Sequence, residues 1–277
     1  MKLLRLLLAL ALCPLLLQPL LPQAAALEEA LIQAETDFTS EEGLPDTCAE
    51  TSLGNLCADA ARECCGADFA LLPAEAMEGT LAHGAVFASD LERIIPQDDS
   101  LFMVSISAAQ LFDLLETGVS HLVTNQAEQI DSERSAWQGF PQVSGFSWTY
   151  DASAPAGERV LSISRNGAEL DPADETVQYT LVTTAPLLEG SLDYQLPGTH
   201  QDTGFTLRDA LTHYCTGRDS LSALPSRATV IGTASYPLWE RFPLPALVGI
   251  CLIVALLAAL PRWKGEKHFS FRQNVSR

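Results

Sequence analysis

The chain has 277 residues, room for one large domain or two small ones, and carries 35 acidic against 16 basic residues for a formal net charge of −19. Between residues 27 and 241 the imbalance is sharper, with 34 Asp or Glu against nine Arg and no Lys. A surface so negative repels polyanions, so anionic lipid headgroups are poor partners and no nucleic acid is expected to bind. At the start, Lys2 and Arg5 precede an apolar run from Leu6 to Leu21, and Gln23-Ala24-Ala25-Ala26 supplies small residues for a signal peptidase. Residues 1–26 are therefore expected to be a secretory signal. Leu12 stands before Cys13, where a lipoprotein signal needs a small residue, and this argues against lipidation. Residues 27–46 are acidic and poor in large apolar side chains, so they are expected to form a helix fragment and linker, with a turn at Glu41-Glu42-Gly43-Leu44-Pro45-Asp46.

The body of the chain alternates helical and strand patterns. Ser52 offers an N-cap, and Leu53, Leu56, Cys57, Ala60, Ala61 and Cys64 fall on one helical face. Phe69-Ala70-Leu71-Leu72 has the length of a buried strand. A loop with Pro73, Gly79 and Gly84 leads to the strand Leu101-Phe102-Met103-Val104-Ser105-Ile106. Ser107-Ala108-Ala109-Gln110 then forms a capping box, opening a helix with Leu111, Leu114 and Leu115 on one side. Residues 121–138 are polar and expected to be irregular. Further on, Phe146-Ser147-Trp148-Thr149-Tyr150 alternates, as do Leu161 and Ile163 with Ser162 and Ser164 before the hairpin signal Asn166-Gly167, and Val177, Tyr179 and Leu181 follow suit. These predict strands of a half-exposed sheet. A last helix after Gly204 puts Leu207, Ala210, Leu211 and Tyr214 together, and Ala228 to Ile231 is one more strand candidate within an expected stalk over 217–241.

Phe242 to Leu260 is free of charge over a length suited to a hydrocarbon core of about 30 Å. Arg262, Lys264, Lys267, Arg272 and Arg277 follow it, and Trp239 and Trp263 flank it. The positive-inside rule then predicts a single-pass type I protein of the cell membrane, with a transmembrane helix over 242–260, a basic cytoplasmic tail over 261–277 and the domain outside the cytoplasm. Five cysteines lie in the exported part, Cys48, Cys57, Cys64, Cys65 and Cys215, and an odd number leaves at least one thiol unpaired within the chain. If a bridge forms, Cys48 or Cys65 with Cys215 is the expected pairing. Cys64-Cys65 lacks a second pair at zinc-finger spacing, so no metal site is expected there.

Many short motifs in one order carry a resemblance. They include Glu50, Leu53-Gly54-Asn55-Leu56, Ala58-Asp59-Ala60, Gly66-Ala67-Asp68, Ala109-Gln110-Leu111 and Glu116 with Gly118. Downstream stand Phe140-Pro141-Gln142-Val143-Ser144-Gly145-Phe146, Gly157-Glu158-Arg159-Val160, Asn166-Gly167 and Thr206-Leu207-Arg208-Asp209-Ala210-Leu211. Over residues 47–216 the chain resembles the C-terminal domain of 5'-nucleotidases, and the resemblance implies a mixed, two-part α/β domain. In the resembled enzymes this is the substrate-binding half. Hydrolysis and nucleotide catabolism depend on metals held by a separate metallophosphatase domain, for which residues 27–46 leave no room.

The catalytic motifs of that other domain are missing. No histidine has an Asp two positions before it, and Gly54-Asn55 is followed by Leu56 where the motif has His, so no two-metal centre is expected, no catalytic residue is assigned and no cofactor is implied. Ser120-His121 lacks the Gly-x-Ser-x-Gly frame of a serine nucleophile. The family's substrate positions are substituted one after another. Where it has Asn-Gly-Gly-Gly-Ile-Arg this chain has Pro73 to Glu78, so the substrate Asn becomes Pro73 and the phosphate-facing Arg becomes Glu78. That exchange reverses a Coulomb term of up to about 4 kcal/mol. The family's first stacking Phe becomes Gln97, forfeiting about 1–3 kcal/mol per base. The second falls on Pro186, its neighbouring Asp is matched by Asp193 after a one-residue slip, and an early substrate Arg becomes Thr47. The expectation is a pseudoenzyme, a scaffold that kept its fold and lost its nucleotide, acting in binding or interaction. The alternative is the substrate-binding half of a split nucleotidase whose metallophosphatase is a separate chain. Whether segments 73–79, 95–99 and 186–194 meet on one cleft decides how far the comparison carries.

Overall fold

The computed structural model describes residues 29–125 and 129–232. The expected signal, the apolar run over 242–260 and the basic tail lie outside the described residues. Among the described residues no helix is long and apolar enough to cross a membrane.

A five-stranded mixed sheet forms the centre, in the order His200–Thr206, Ser100–Ser107, Gln178–Thr184, Phe69–Pro73, Pro141–Ser144. Every neighbouring pair is antiparallel except Gln178–Thr184 with Phe69–Pro73. Because side chains alternate along a strand, the sheet divides the interior in two. Ala70, Leu72, Leu101 and Val182 enter one core, with the helices Ser52–Cys65, Ala88–Ile94 and Leu207–Thr216. Phe69, Leu71, Val104 and Leu181 enter the other, under helix Ala108–Ser120 and a second sheet whose Trp148, Tyr150 and Ile163 face inward. That four-stranded sheet runs Ala168–Glu169, Val160–Arg165, Ser147–Asp151, Ala228–Ile231. Mixed α/β architecture is thus observed as expected, and the sheet is more enclosed than its alternation suggests. Leu181 to Thr184 are all buried, in place of the half-exposed strand.

Local differences have local causes. Thr51 caps the first helix in place of Ser52, since its extended backbone lets Oγ1 accept from Gly54 N at 3.1 Å while Gln142 Oε1 accepts from Thr51 N. That helix is buried continuously from Leu53 to Ala61, well beyond one face, because the C-terminal segment also packs on it through Arg227. Leu161 points out and is 50% exposed although Ile163 is buried. The register skips there, Ser162 pairing with Thr149 and Val160 with Tyr150, so Leu161 is the extra residue of a β-bulge. At Asn166 and Gly167 both φ angles are positive, 52° and 80°, as the hairpin signal requires.

Residues 27–46 do not form a linker where they are described. Ile32–Ala34 is a strand between Gly84–Val86 and Ser220–Leu221, Phe38–Thr39 pairs with Thr80–Leu81, and Glu41–Glu42 folds back on Leu44–Pro45. The fully buried Phe38 and the buried Ile32 suffice to anchor so acidic a segment. Within the expected stalk, Ser220–Leu221 and Ala228–Ile231 likewise belong to sheets. The expected disulfide is also overturned, because all five cysteines are free. Cys48 and Cys215 lie in opposite cores, with the central sheet between them. Cys65 packs at the margin of the core that holds Cys215, while the thiol that feels Cys215 is that of Cys57.

Candidate functional site

The central sheet delivers two loops to one place. After Phe69–Pro73, Ala74 N donates to Phe140 O at 3.0 Å and Glu75 N to Gln138 O at 2.9 Å, and the chain winds into the 3-10 turn Ala74–Ala76. Glu78 N then donates to Ile94 O at 2.9 Å, which holds this turn beside the loop of Pro96 and Gln97. Gly79, at a φ of 73° that favours glycine, donates from its N to Ser40 Oγ at 3.1 Å. This brings in the hairpin Glu41–Glu42 with Leu44–Pro45. Asp46 follows it, its N donating to Ser40 O at 2.8 Å and its carbonyl accepting from the buried Gln142 Nε2 at 3.1 Å. Between these walls lies an open cleft of about 730 Å³.

Four carboxylates line it, Glu41, Asp46, Glu75 and Glu78, and no Arg, Lys or His does. Asp46 is the buried one, at 8% exposure. Burial pushes its carboxyl up to about 7, opposed by the backbone N–H of Thr47 and reinforced by Glu41 and Glu78. Glu75 is raised by burial and by Asp99, and Asp99 by burial, Asp98 and Glu189. Guanidinium groups of the neighbouring segments are engaged elsewhere. Arg93 bonds Asp90 at 3.0 Å and Thr80 O at 2.9 Å, and Arg208 pairs with Asp98 at 3.4 Å and bonds Ile95 O at 2.8 Å.

Of the positions singled out from sequence, Thr47, Glu78 and Gln97 line this cleft, and Pro73 sits buried just before Ala74 at its wall. Pro186 does not line it and is half-buried in the short helix Ala185–Leu188. Asp193 borders a different hollow of about 410 Å³, 3.6 Å from His121 Nε2. Segments 73–79 and 95–99 thus meet, while no residue of 186–194 lines the cleft. Sequence reasoning missed Asp46, Glu41, Glu75 and Gln138. Glu41 and Asp46 stood in view as an acidic turn, but nothing local reports that Gln142, 96 positions on, would draw Asp46 inward. Among the described residues no three of His, Cys, Asp or Glu are placed to hold a metal ion.

The sequence profile of the 5'-nucleotidase C-terminal domain matches residues 32–197, more than half of the chain. The chain belongs to the 5'-nucleotidase C-terminal domain family. Its match starts at the strand Ile32–Ala34 and includes every carboxylate of the cleft. Solved structures agree on the fold. A 5'-nucleotidase precursor from Thermus thermophilus superposes with a TM-score of 0.63 at 22% identity, over 82% of this chain and 43% of that one. An NAD nucleotidase from Haemophilus influenzae gives 0.58 at 14%, over 73% and 38%. The sulfate thiohydrolase SoxB of Thermus thermophilus gives 0.55 at 21%, over 76% and 36%. The chain therefore spans less than half the length of these structures. Among proteins of curated function none matches it.

Proposed function

We propose that this chain is a membrane-anchored, outward-facing member of the 5'-nucleotidase C-terminal domain family that binds a ligand without catalysing on its own, and that its cleft no longer accepts nucleotides. The observation that carries the reading is the cleft itself, which has four carboxylates and no lining cation and is lined by Thr47, Glu78 and Gln97, three of the six positions compared with the family's substrate residues. A nucleotide phosphate brought there meets Glu78 in place of a guanidinium, and its base meets Gln97 in place of a ring. The apolar run over 242–260 and the basic residues after it support the anchor. The test is the full chain purified in detergent with Mn, Zn, Co or Ca and offered AMP, adenosine and UDP-sugars. Neither phosphate release nor a thermal shift is expected, and inorganic phosphate liberated from AMP would end the proposal.

A second reading, the substrate-binding half of a split nucleotidase acting in nucleotide catabolism, is favoured by one observation. The fold matches 36–43% of each of these solved relatives, a share that is compatible with a metallophosphatase acting as a partner chain. Co-purification with such a protein and restored hydrolysis in the mixture support it, and their absence removes it.

A further inference from the structure

Asp46 closes a hairpin that is tied firmly at its base and lightly beyond it. At the base Ser40 N donates to Gly79 O at 2.9 Å, and Gly79 N to Ser40 Oγ at 3.1 Å. Past that point Glu41–Glu42 pairs with Leu44–Pro45 around Gly43, two residues a side. Asp46 N returns to Ser40 O at 2.8 Å, and two donors of the frame seat the hairpin, Gln142 Nε2 on Asp46 O at 3.1 Å and Trp137 N on Thr47 O at 3.4 Å. A two-stranded hairpin is at best marginal in water on its own, so its position depends on that seat. Glu41, Pro45, Asp46 and Thr47 all line the cleft, which makes the hairpin part of its wall.

In the seat the Asp46 side chain is withdrawn from water, and the charged groups that face it are acidic. Glu41 faces it from the hairpin itself and Glu78 from the turn after Phe69–Pro73. Gln142 and Trp137, from the other segments packed against it, are uncharged. The neighbouring Cys48 thiol is pushed up to about 11 by burial and by Asp46, so it stays neutral where a carboxyl titrates. A protonated carboxyl is tolerated in such a place, whereas an ionised one meets both burial and like charge. Lifting the hairpin returns that charge to water. We infer that segment 41–47 is a pH-sensitive flap of the cleft, seated while Asp46 keeps its proton and lifting from the frame once Asp46 is ionised.

The direction follows from the two positions of the hairpin. Seated, the carboxyl lies at about 7, and lifted it returns toward its ordinary value of 3.8. The lifted form therefore holds fewer protons between about pH 4 and pH 7, so its share rises with pH through that window, by up to about tenfold per pH unit, and levels off above it. The motion rests on the hairpin alone. That it controls entry to the cleft rests on the proposed reading of the cleft as a binding site.

Amide hydrogen exchange of the full chain in detergent, at about pH 5 and about pH 7.5 and corrected for the intrinsic rate at each, tests it. The hydrogen-bonded amides of Asp46 and Cys48 are expected to lose at least about tenfold in protection at the higher pH, while those of helix Ala108–Ser120 keep theirs. Asp46→Asn is expected to keep the hairpin seated at both pH values, and Glu78→Gln, a change at an exposed position, to narrow the difference between them. Equal protection of the hairpin at both pH values in the parent overturns the inference. So does a difference that survives in Asp46→Asn, which would place the titrating group elsewhere, or one shared by helix Ala108–Ser120, which would make it global unfolding. Should Asp46→Asn fail to fold, an undiminished difference in Glu78→Gln overturns it instead. Binding of AMP at either pH would sink the reading of the cleft and leave the flap standing, so the two failures are told apart.

Discussion

The frame around the central sheet and the cleft at its end are built from the same kinds of residues and hold them in opposite ways. In the frame every carboxylate that matters has its donors. Glu50 accepts from the backbone N–H of Arg227 and Ala228 and from Ser226 and Asn55. Glu116 accepts from the N–H of Gly157, Arg159 and Val160. Asp68 takes the N–H and hydroxyl of Thr180 and the guanidinium of Arg165, and these hold its carboxyl below the usual range although burial pushes it up. Asp46, in the cleft, is raised by burial with only backbone donors against it. The frame's carboxylates are held by several donors each, whereas those of the cleft face one another with few.

The comparison breaks first if the frame tolerates damage. Arg227 pairs with Asp59 at 2.6 Å with both side chains 11% exposed, and bonds Asn55 and Val143 O besides, tying the last strand to the first helix. Arg227→Met leaves Asp59 buried and unpaired. A loss of about 3–5 kcal/mol is expected, read as the denaturation midpoint of the full chain. Next comes Gly54, where an added Cβ would lie 1.9 Å from Gln142 Oε1. Gly54→Ala displaces a side chain that holds Thr51 N, Asp46 O and Ala49 O, and is expected to cost up to about 3 kcal/mol. A wild-type midpoint for either variant would mean that the frame is not the rigid partner in the comparison.

The cleft should respond in binding and hardly in stability. Glu78 and Gln97 are both exposed, so Glu78→Arg with Gln97→Phe is expected to fold as the parent does, within about 0.5 kcal/mol. If the frame still presents these positions as a nucleotide site requires, the pair restores weak AMP affinity on the order of 1 mM, measurable by ligand-observed NMR. No signal at higher AMP concentration would place the loss of nucleotide in the shape of the cleft as well as in its charge.

These two regions were also unequally legible in the sequence. Helix Ser52–Cys65, the strands Phe69–Pro73 and Ser100–Ser107 and the capping box at Ser107 follow from periodicity, because their neighbours in space fill one face of a local pattern. The strand Ile32–Ala34 was invisible, since its pairing partners are Gly84–Val86 and Ser220–Leu221 and three residues carry no period. The same holds for Leu161, turned outward by a bulge that no local residue announces. In the cleft, Glu78 and Gln97 were found by comparison with a family motif. Asp46 was not, because what distinguishes it is burial imposed by Gln142 from across the fold.

The smallest effect is the most diagnostic. With the folded carboxyl of Asp46 at about 7 and its ordinary value at 3.8, the unfolded chain releases this proton at a lower pH than the folded one. Between about pH 4 and pH 7 the folded state therefore holds more protons, and the contribution of Asp46 to stability falls as pH rises through that window and stays low above it. Asp46→Asn removes this dependence. The variant is expected to match the parent near pH 4 and to exceed it near pH 8 by on the order of 1 kcal/mol, about 2–4 °C in thermal midpoint. A variant less stable than the parent at both pH values would make Asp46 a structural residue of the loop. A variant that gains stability only where the carboxylate is charged would mark burial of that charge as a cost the fold carries at the cleft.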